Sequence, residues 1–502
     1  MNQRKAGVSL SYLSIILTNL IGIVYTPFLL RMLGQSEYGL YALAASIVSY
    51  LSVMDFGFGN ATVRYTALYK AKEKEPQLPY LWGMMFVVYA LMSIIALIAG
   101  LVVSYHADIL FSRSMTMEEL TRVRLLILLM TCNITFSLPL TLFESIVVAY
   151  ERFKYQRGLQ LLRTLLQPVI MIPLLLLGYK SIALVLLITA LNLCYLSANV
   201  WYCFRKLDVK IFFNRFDVPL LKEIIQYSFW VFLIMVVDRL YWSSGQIILG
   251  ALAGTSAVAV FAVAIQFKNY FSSFSTAISG VFLPKITSLN RKKDLDAYFI
   301  KIGRLQFIII SFILSGFIIF GRSFINLWAG ENYDEAYRIA LIILIPLSVP
   351  LMQTLGISIL QAQNRLKFRS ILYLLMALLS IFVSVFLAKL YGGMGCAVSI
   401  ALSLILCNII IMNIYYYRRI NLDIPRFWKE IIAMSLPIIL LDSVVFLLSK
   451  QITLPQSWGL FFMQVAIFSV LFLFVLYKWT MNPYEKSLFA DLLAVSVKKR
   501  RR

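Results

Sequence analysis

The sequence predicts an all-α polytopic membrane protein, and three observations carry that reading. Of its 502 residues 61% are hydrophobic and only 14% charged, whereas a soluble domain is nearer half apolar and a quarter charged. Apolar runs of about twenty residues, enough to cross roughly 30 Å of hydrocarbon, occupy nearly the whole chain. They are continuous rather than alternating, so they read as helices and not as barrel strands. The 14% aromatic content suits belts at the two membrane interfaces. A water-soluble protein is excluded.

Fourteen spans are expected. The first six cover 8–30, 38–59, 80–104, 125–149, 159–177 and 182–204. The next six cover 227–250, 257–283, 305–320, 339–360, 371–387 and 395–417, and 431–448 and 458–477 complete the set. The first run is a full span with no small-residue cleavage site behind it, so it should remain as the first helix.

Charge sets the orientation. With the amino terminus inside, 35 of the 46 Lys and Arg fall in or beside the eight inner segments, and nine fall in the outer loops. Two more, Arg239 and Lys268, lie deep within spans, while Arg163, near the start of span five, is counted with the inner segment beside it. The net charge of +23 is therefore topological: it orients the protein and attracts anionic membrane lipids. Nucleic acid is not an expected partner. Both termini should be cytoplasmic. Near the end, Asn482 and Pro483 read as an N-cap and first helical position, opening a short surface helix before the basic run at 498–502.

Other chemistry is scarce. Five cysteines lie in or at the ends of spans without metal spacing, which argues against a disulfide framework. The lone His106 sits near a helix end, where capping suits it. No metal or organic cofactor is expected, and no Gly-rich phosphate loop is present for an ATP-driven pump.

The chain repeats itself. Gly34-Gln35-Ser36 and Gly39-Leu40-Tyr41-Ala42 correspond to Gly254-Thr255-Ser256 and Ala259-Val260-Phe261-Ala262 at an offset of 220. Ser137-Leu138-Pro139-Leu140 corresponds to Ser348-Val349-Pro350-Leu351, and the stretch 149–155 to 362–368. Each half holds six spans, so the halves share one orientation about an axis along the membrane normal. The predicted organisation is a six-helix lobe over 1–210, a second over 211–420, two extra helices over 421–480 and a basic cytoplasmic tail over 481–502.

Charged groups at mid-bilayer cost about 2.5–3.5 kcal/mol each on insertion scales, so they are candidates for function. Span seven carries Asp238 and Arg239, and Arg239, Ser243 and Gln246 share a helical face. In span eight Lys268, Ser272, Ser275 and Ser279 form a stripe that the 220 offset carries onto Val48, Ser52, Asp55 and Gly59. Arg239 likewise falls on Asn19. Matched polar faces suggest that both halves line one cavity, which Glu144, Arg163 and Gln167 extend. A buried ion pair or triad of Asp238, Arg239 and Lys268 is the competing structural reading. Asp55 and Glu144 lie toward the inner ends of their spans, and Asp442 has no assigned role. Seven prolines interrupt spans and allow kinks.

The segment 30–65, LRMLGQSEYGLYALAASIVSYLSVMDFGFGNATVRY, resembles the polysaccharide transporter family, most specifically in Leu33-Gly34, Tyr38-Gly39 and Asp55-x-Gly57. That family belongs to a superfamily shared with multidrug and toxic compound extrusion transporters and lipid II flippases. The resemblance implies two six-helix lobes around a central cavity with alternating access, in a bacterial cytoplasmic membrane. It implies flipping of undecaprenyl-pyrophosphate-linked oligosaccharide units for O-antigen, capsule or related polymers, with polysaccharide polymerase and chain-length machinery as partner proteins.

Such a cargo calls for a hydrated, partly cationic cavity. Arg239 and Lys268 are the candidates for pyrophosphate contact, with Arg31 and Arg64 at opposite mouths. Asn19, Ser243, Gln246 and Ser272 are candidates for sugar. Asp238, Asp55 and Glu144 are the acids available to a coupling proton or Na+. A cation-coupled multidrug exporter and a lipid II flippase remain open on the same fold. A membrane polymerase or glycosyltransferase is more distant. The longest outer loops, 105–124 and 321–338, offer only Glu118-Glu119 and Asp334-Glu335, which read as solvated charge. The protein is not expected to be an enzyme.

Overall fold

A computed structural model of the protein describes residues 3–286, 292–363, 365–451 and 457–488. Among the described residues thirteen helices are long and apolar enough to cross a membrane. The longest, Lys367–Ile420, is two spans: Gly392 leaves helical geometry at φ 55 and ψ −130. That turn falls between the expected spans 371–387 and 395–417. A side chain on Gly395 would overlap the Leu387 carbonyl, so the chain folds back tightly there. The all-α polytopic reading holds. Apolar side chains such as Val24, Leu440 and Val470 stand well exposed, as a lipid-facing surface requires.

The helices outrun the hydrocarbon-length windows. Expected span 305–320 is the middle of Lys292–Trp328. The supposed loop 105–124 already begins a helix at Met117, fixed by a reciprocal Thr116–Glu119 capping box. The next helix after Trp328 and one short turn starts at Asp334. The paired acids therefore occupy first helical turns, where the helix dipole favours negative charge. Glu119 and Asp334 are not solvated loop charge, because Glu119 accepts from Ser36 and Thr255 and Asp334 holds Arg322.

Span two is also longer than 38–59, and it is broken. Helix Gln35–Leu51 passes through a tight turn, Ser52–Asp55, and resumes as Phe58–Ala71. Between them Phe56 and Gly57 take left-handed conformations, φ 53 and 74. A phenylalanine held there is uncommon, and it is fixed by stacking on Phe232 at 3.9 Å between ring centroids. Asp55 thus occupies a break inside a 37-residue helical stretch. Span seven is likewise interrupted, between Val218–Trp242 and Ser244–Leu252.

The repeat recurs in geometry. Gly34 and Gly254 both have left-handed φ, 80 and 82, where their helices begin. Tyr155 stacks on Tyr202 at 3.9 Å, and Phe368 stacks on Tyr415 at 4.2 Å. The two members of each pair are related to those of the other by the same 213 positions.

Two compact units result. One is 1–262 with 377–396, and the other is 263–376 with 397–502. The division at 262/263 lies beyond the repeat boundary at 210/211, because the start of the helix Gly254–Ile286 binds first-half residues. Ser36 and Thr255 hydroxyls are 3.1 Å apart, and Glu119 accepts hydrogen bonds from both, at 2.7 and 2.8 Å. A Cβ on Gly39 would overlap the Thr255 carbonyl. Close by, buried Glu37 accepts from Ser181 at 2.5 Å and pairs with Arg122 at 2.6 Å. Arg122 also holds Glu118 at 2.5 Å. The first unit's core gathers Phe58, Leu81, Trp82, Met85, Tyr89 and Leu142.

The second unit is held by polar hubs. Asn413 Oδ1 accepts from Gln353 at 2.8 Å and from Trp428 at 3.1 Å, while its Nδ2 donates to the Asn408 and Ile409 carbonyls. Arg322 forks onto Asp334 at 2.6 and 2.9 Å. Ser315 donates to Asp442 at 2.6 Å, so Asp442 joins helices Lys292–Trp328 and Ile424–Gln451. In the first unit His106 forms the C-cap of Leu78–Tyr105, its Nδ1 2.9 Å from the Val102 carbonyl. Asn482 caps the terminal helix as expected, exchanging hydrogen bonds with Glu485 at 2.8 and 2.9 Å. The basic run at 498–502 and Phe489 onward lie outside the described residues.

Candidate functional site

The first unit contains a cavity of about 230 Å³. Helix Gln35–Leu51 and its following turn contribute Tyr41, Ala45, Val48 and Ser52, with Ser49 beside them. The spacing of four, three and four residues places the first set on one helical face. Helix Met117–Ala149 supplies Met130, Asn133 and Ile134, and helix Ser181–Lys206 supplies Val185 and Ile188. The wall is largely apolar, with a hydroxyl and amide strip. No charged side chain is among the lining residues.

The polar strip is held in place by neighbours. Asn192 Nδ2 donates to Asn133 Oδ1 at 2.9 Å and to Ser137 Oγ at 2.6 Å. Ser137 donates to the Asn133 carbonyl at 2.6 Å. Ser52 Oγ donates to the Ser49 carbonyl, and Ser49 Oγ to that of Ser46, each at 2.6 Å.

A second, acidic cluster lies in the same unit. Glu144 Oε1 accepts from Tyr195 at 2.7 Å and from Gln156 at 3.1 Å. The Arg163 guanidinium stands 5.6 Å from the Tyr195 ring centre. At the helix break the Asp55 carboxylate faces the Tyr89 hydroxyl and the amides of Gly57 and Gly59, within the field of Glu144. The buried Tyr89 ring packs edge-on against Phe58. Asp55 and Tyr89 thus stand together beside Gly59 at the helix break, while Glu144 and Tyr195 pair between helices Met117–Ala149 and Ser181–Lys206.

The sequence-predicted residues divide between the units. Ser243 is buried, 3.0 Å from the cavity-lining Ser49. The carbonyl of Arg239 accepts from Tyr50 at 3.1 Å. The Arg239 side chain is 3.9 Å from Asp238, which is 56% exposed, so the pair is loose and lies at the surface of the unit. Gln246 is half-buried in the helix after the Ser243 break. Asn19 donates to the Ile15 carbonyl of its own helix at 2.8 Å. Arg31 is exposed at a helix end. Arg64 covers the Tyr227 ring at 4.4 Å.

Lys268 and Ser272 belong to the second unit. Lys268 Nζ donates to Asn269 Oδ1 at 3.3 Å. Ser275, buried, donates to the Leu351 carbonyl at 3.1 Å, so this member of the stripe joins two helices. The Ser279 side chain lies outside the described residues.

Sequence reasoning overlooked Tyr41, Ser49, Asn133, Asn192 and Tyr195. The signal was present in span four, where Asn133, Ser137, Thr141 and Glu144 form a polar stripe of helical spacing.

Residues 5–290 match the family described as polysaccharide biosynthesis protein, more than half of the chain. The chain belongs to this family. The chain is 23% identical over 430 residues to the uncharacterized membrane protein EpsK of Bacillus subtilis, covering 83% of this chain and 84% of EpsK. It is 20% identical over 398 residues to a Shigella flexneri protein described as an O-antigen transporter, covering 79% and 94%. Among solved structures, lipid II flippase MurJ in an inward closed conformation superposes with a TM-score of 0.73 at 16% identity, covering 96% of this chain and 99% of that one. An inward-facing multidrug resistance transporter of the MATE family gives 0.57 at 14% identity, covering 81% and 99%. This polysaccharide biosynthesis family member therefore shares the fold of those two structures.

Proposed function

We propose that the protein flips undecaprenyl-pyrophosphate-linked oligosaccharide units from the inner to the outer leaflet of a bacterial cytoplasmic membrane, by alternating access. The observation that carries this reading is a partly open cavity, largely apolar with a hydroxyl and amide strip, in the helical bundle of a polysaccharide-biosynthesis family member. A flippase carries a polar headgroup through its interior while the prenyl chain remains in lipid, and buried hydrogen-bonding groups replace the water that the headgroup sheds. Arg239 and Lys268 are assigned to the pyrophosphate, with Arg31 and Arg64 at the mouths. Asp55 and Glu144 are assigned to a coupling proton or Na+: Glu144 accepts from Tyr195 and Gln156, and Asp55 stands at the helix break of the first unit. The positive-inside pattern supports cytoplasmic termini. Polymerase and chain-length proteins would take the delivered units.

Cells lacking the gene test the reading. Single repeat units should accumulate on the inner leaflet while surface polymer disappears. Unchanged lipid-linked glycans together with raised retention of cationic dyes would replace the proposal with a drug exporter on the same fold.

A further inference from the structure

Resting on that reading, we infer that the cavity of the first unit is a sugar-selective subsite, in which Asn133 and Ser52 recognise a neutral sugar ring and from which the diphosphate is excluded. Its wall contains no charged group. A diphosphate buried there would lose its hydration without gaining a cation, an outcome that costs far more than burying a neutral polar group. A sugar ring matches the wall on both counts. Its hydroxyls need donors and acceptors of no net charge, and its C–H face suits an aromatic ring and aliphatic side chains such as Tyr41, Val48 and Ile134.

The donors and acceptors are already assigned. Asn133 Oδ1 is occupied by Asn192, so the free end of that amide is Nδ2 with its two N–H groups. Ser52 commits its hydrogen to the Ser49 carbonyl, so towards a ligand its oxygen acts as an acceptor. One donor and one acceptor, each locked by a neighbour, form a preorganised pair. The network behind Asn133 keeps its amide from rotating, which reduces the ordering cost of binding.

The test uses the purified full-length protein and two probes, undecaprenyl diphosphate and undecaprenyl diphosphate carrying one N-acetylglucosamine. The sugar-bearing lipid should bind more tightly. Asn133→Leu should erase about fivefold to tenfold of that advantage, the worth of one or two hydrogen bonds, and leave the affinity for bare undecaprenyl diphosphate unchanged. Ser52→Val, smaller in its structural effect, serves the same purpose if Asn133→Leu does not fold. A sugar advantage that survives both substitutions would overturn the assignment of this cavity while leaving the flippase reading intact. Equal loss of both lipids in the folded variants would also overturn it. If neither lipid binds the unaltered protein, the flippase reading falls and this inference with it.

Discussion

Arg304 and Glu485, 181 residues apart, form a two-pronged ion pair: Nε meets Oε1 at 2.7 Å and Nη2 meets Oε2 at 2.9 Å. Both side chains are buried, at 8% and 2% exposure. Arg304 also holds Glu430 at 2.6 Å and the Thr480 carbonyl at 3.1 Å. One guanidinium thus joins helix Lys292–Trp328, helix Ile424–Gln451 and the turn that begins at Asn482. The planar fork suits this task and an ammonium does not.

Removing that guanidinium leaves Glu485 buried without its cation, and breaking one side of a buried pair costs about 3–5 kcal/mol. Arg304→Ala is therefore expected to lower the unfolding temperature of the purified protein sharply and to reduce its abundance. Arg304→Lys should recover only part of the loss, since it supplies a charge without the fork. An unchanged melting curve for Arg304→Ala would show that the pair contributes nothing.

Spans were legible in the sequence because hydrocarbon thickness imposes a length and a composition on every crossing helix. The repeat was read from glycine chemistry, and Gly34 and Gly254 do share a left-handed φ. What the windows lost were helical turns outside the hydrocarbon. Arg304, Glu430 and Glu485 all fell in segments read as inner loop or tail, so a buried network linking them had no local signature. Glu37, Arg122 and Glu119 were hidden on the other face for the same reason. Within the site, Ser52 was found through the repeat, whereas Asn133 lies four residues before the matched Ser137 motif and outside it. Its role depends on Asn192, which is 59 positions away.

The junction of Ser36 with Thr255 makes movement within the first unit testable. Their hydroxyls are 3.1 Å apart, close enough for cysteines placed there to form a disulfide without moving the backbone far. In a background without the five native cysteines, Ser36→Cys with Thr255→Cys should cross-link under mild oxidation. Transport should stop when the bond forms and return on reduction. Full transport by the cross-linked protein would mean that this contact persists throughout the cycle.

Glu144 offers the coupling test. Its carboxylate accepts from both Tyr195 and Gln156, and an amide of the same shape keeps the packing but cannot exchange a proton. Glu144→Gln is expected to retain lipid binding and lose transport driven by an ion gradient by at least about tenfold, the scale of one charge-assisted hydrogen bond. Substrate-dependent proton or Na+ flux in proteoliposomes measures this directly. Flux equal to that of the unaltered protein would remove Glu144 from coupling.

The remaining prediction concerns the diphosphate, which needs a cation that the cavity does not supply. Arg239 is a candidate on geometry: its 3.9 Å approach to Asp238 is at the limit of an ion pair, and both groups are partly exposed. A loose, exposed pair contributes about 0–1 kcal/mol, so little opposes transfer of this guanidinium to an incoming diphosphate. Lys268 is the other candidate, in the second unit. Arg239→Gln and Lys268→Gln are each expected to reduce export at least about tenfold, since hydrogen bonds to charged groups contribute about 1.5–3 kcal/mol, with protein abundance unchanged. Export is read as surface polymer and as relief of inner-leaflet intermediates. Normal export by both single variants would refute the cationic assignment, and the diphosphate would then have to cross beside other groups.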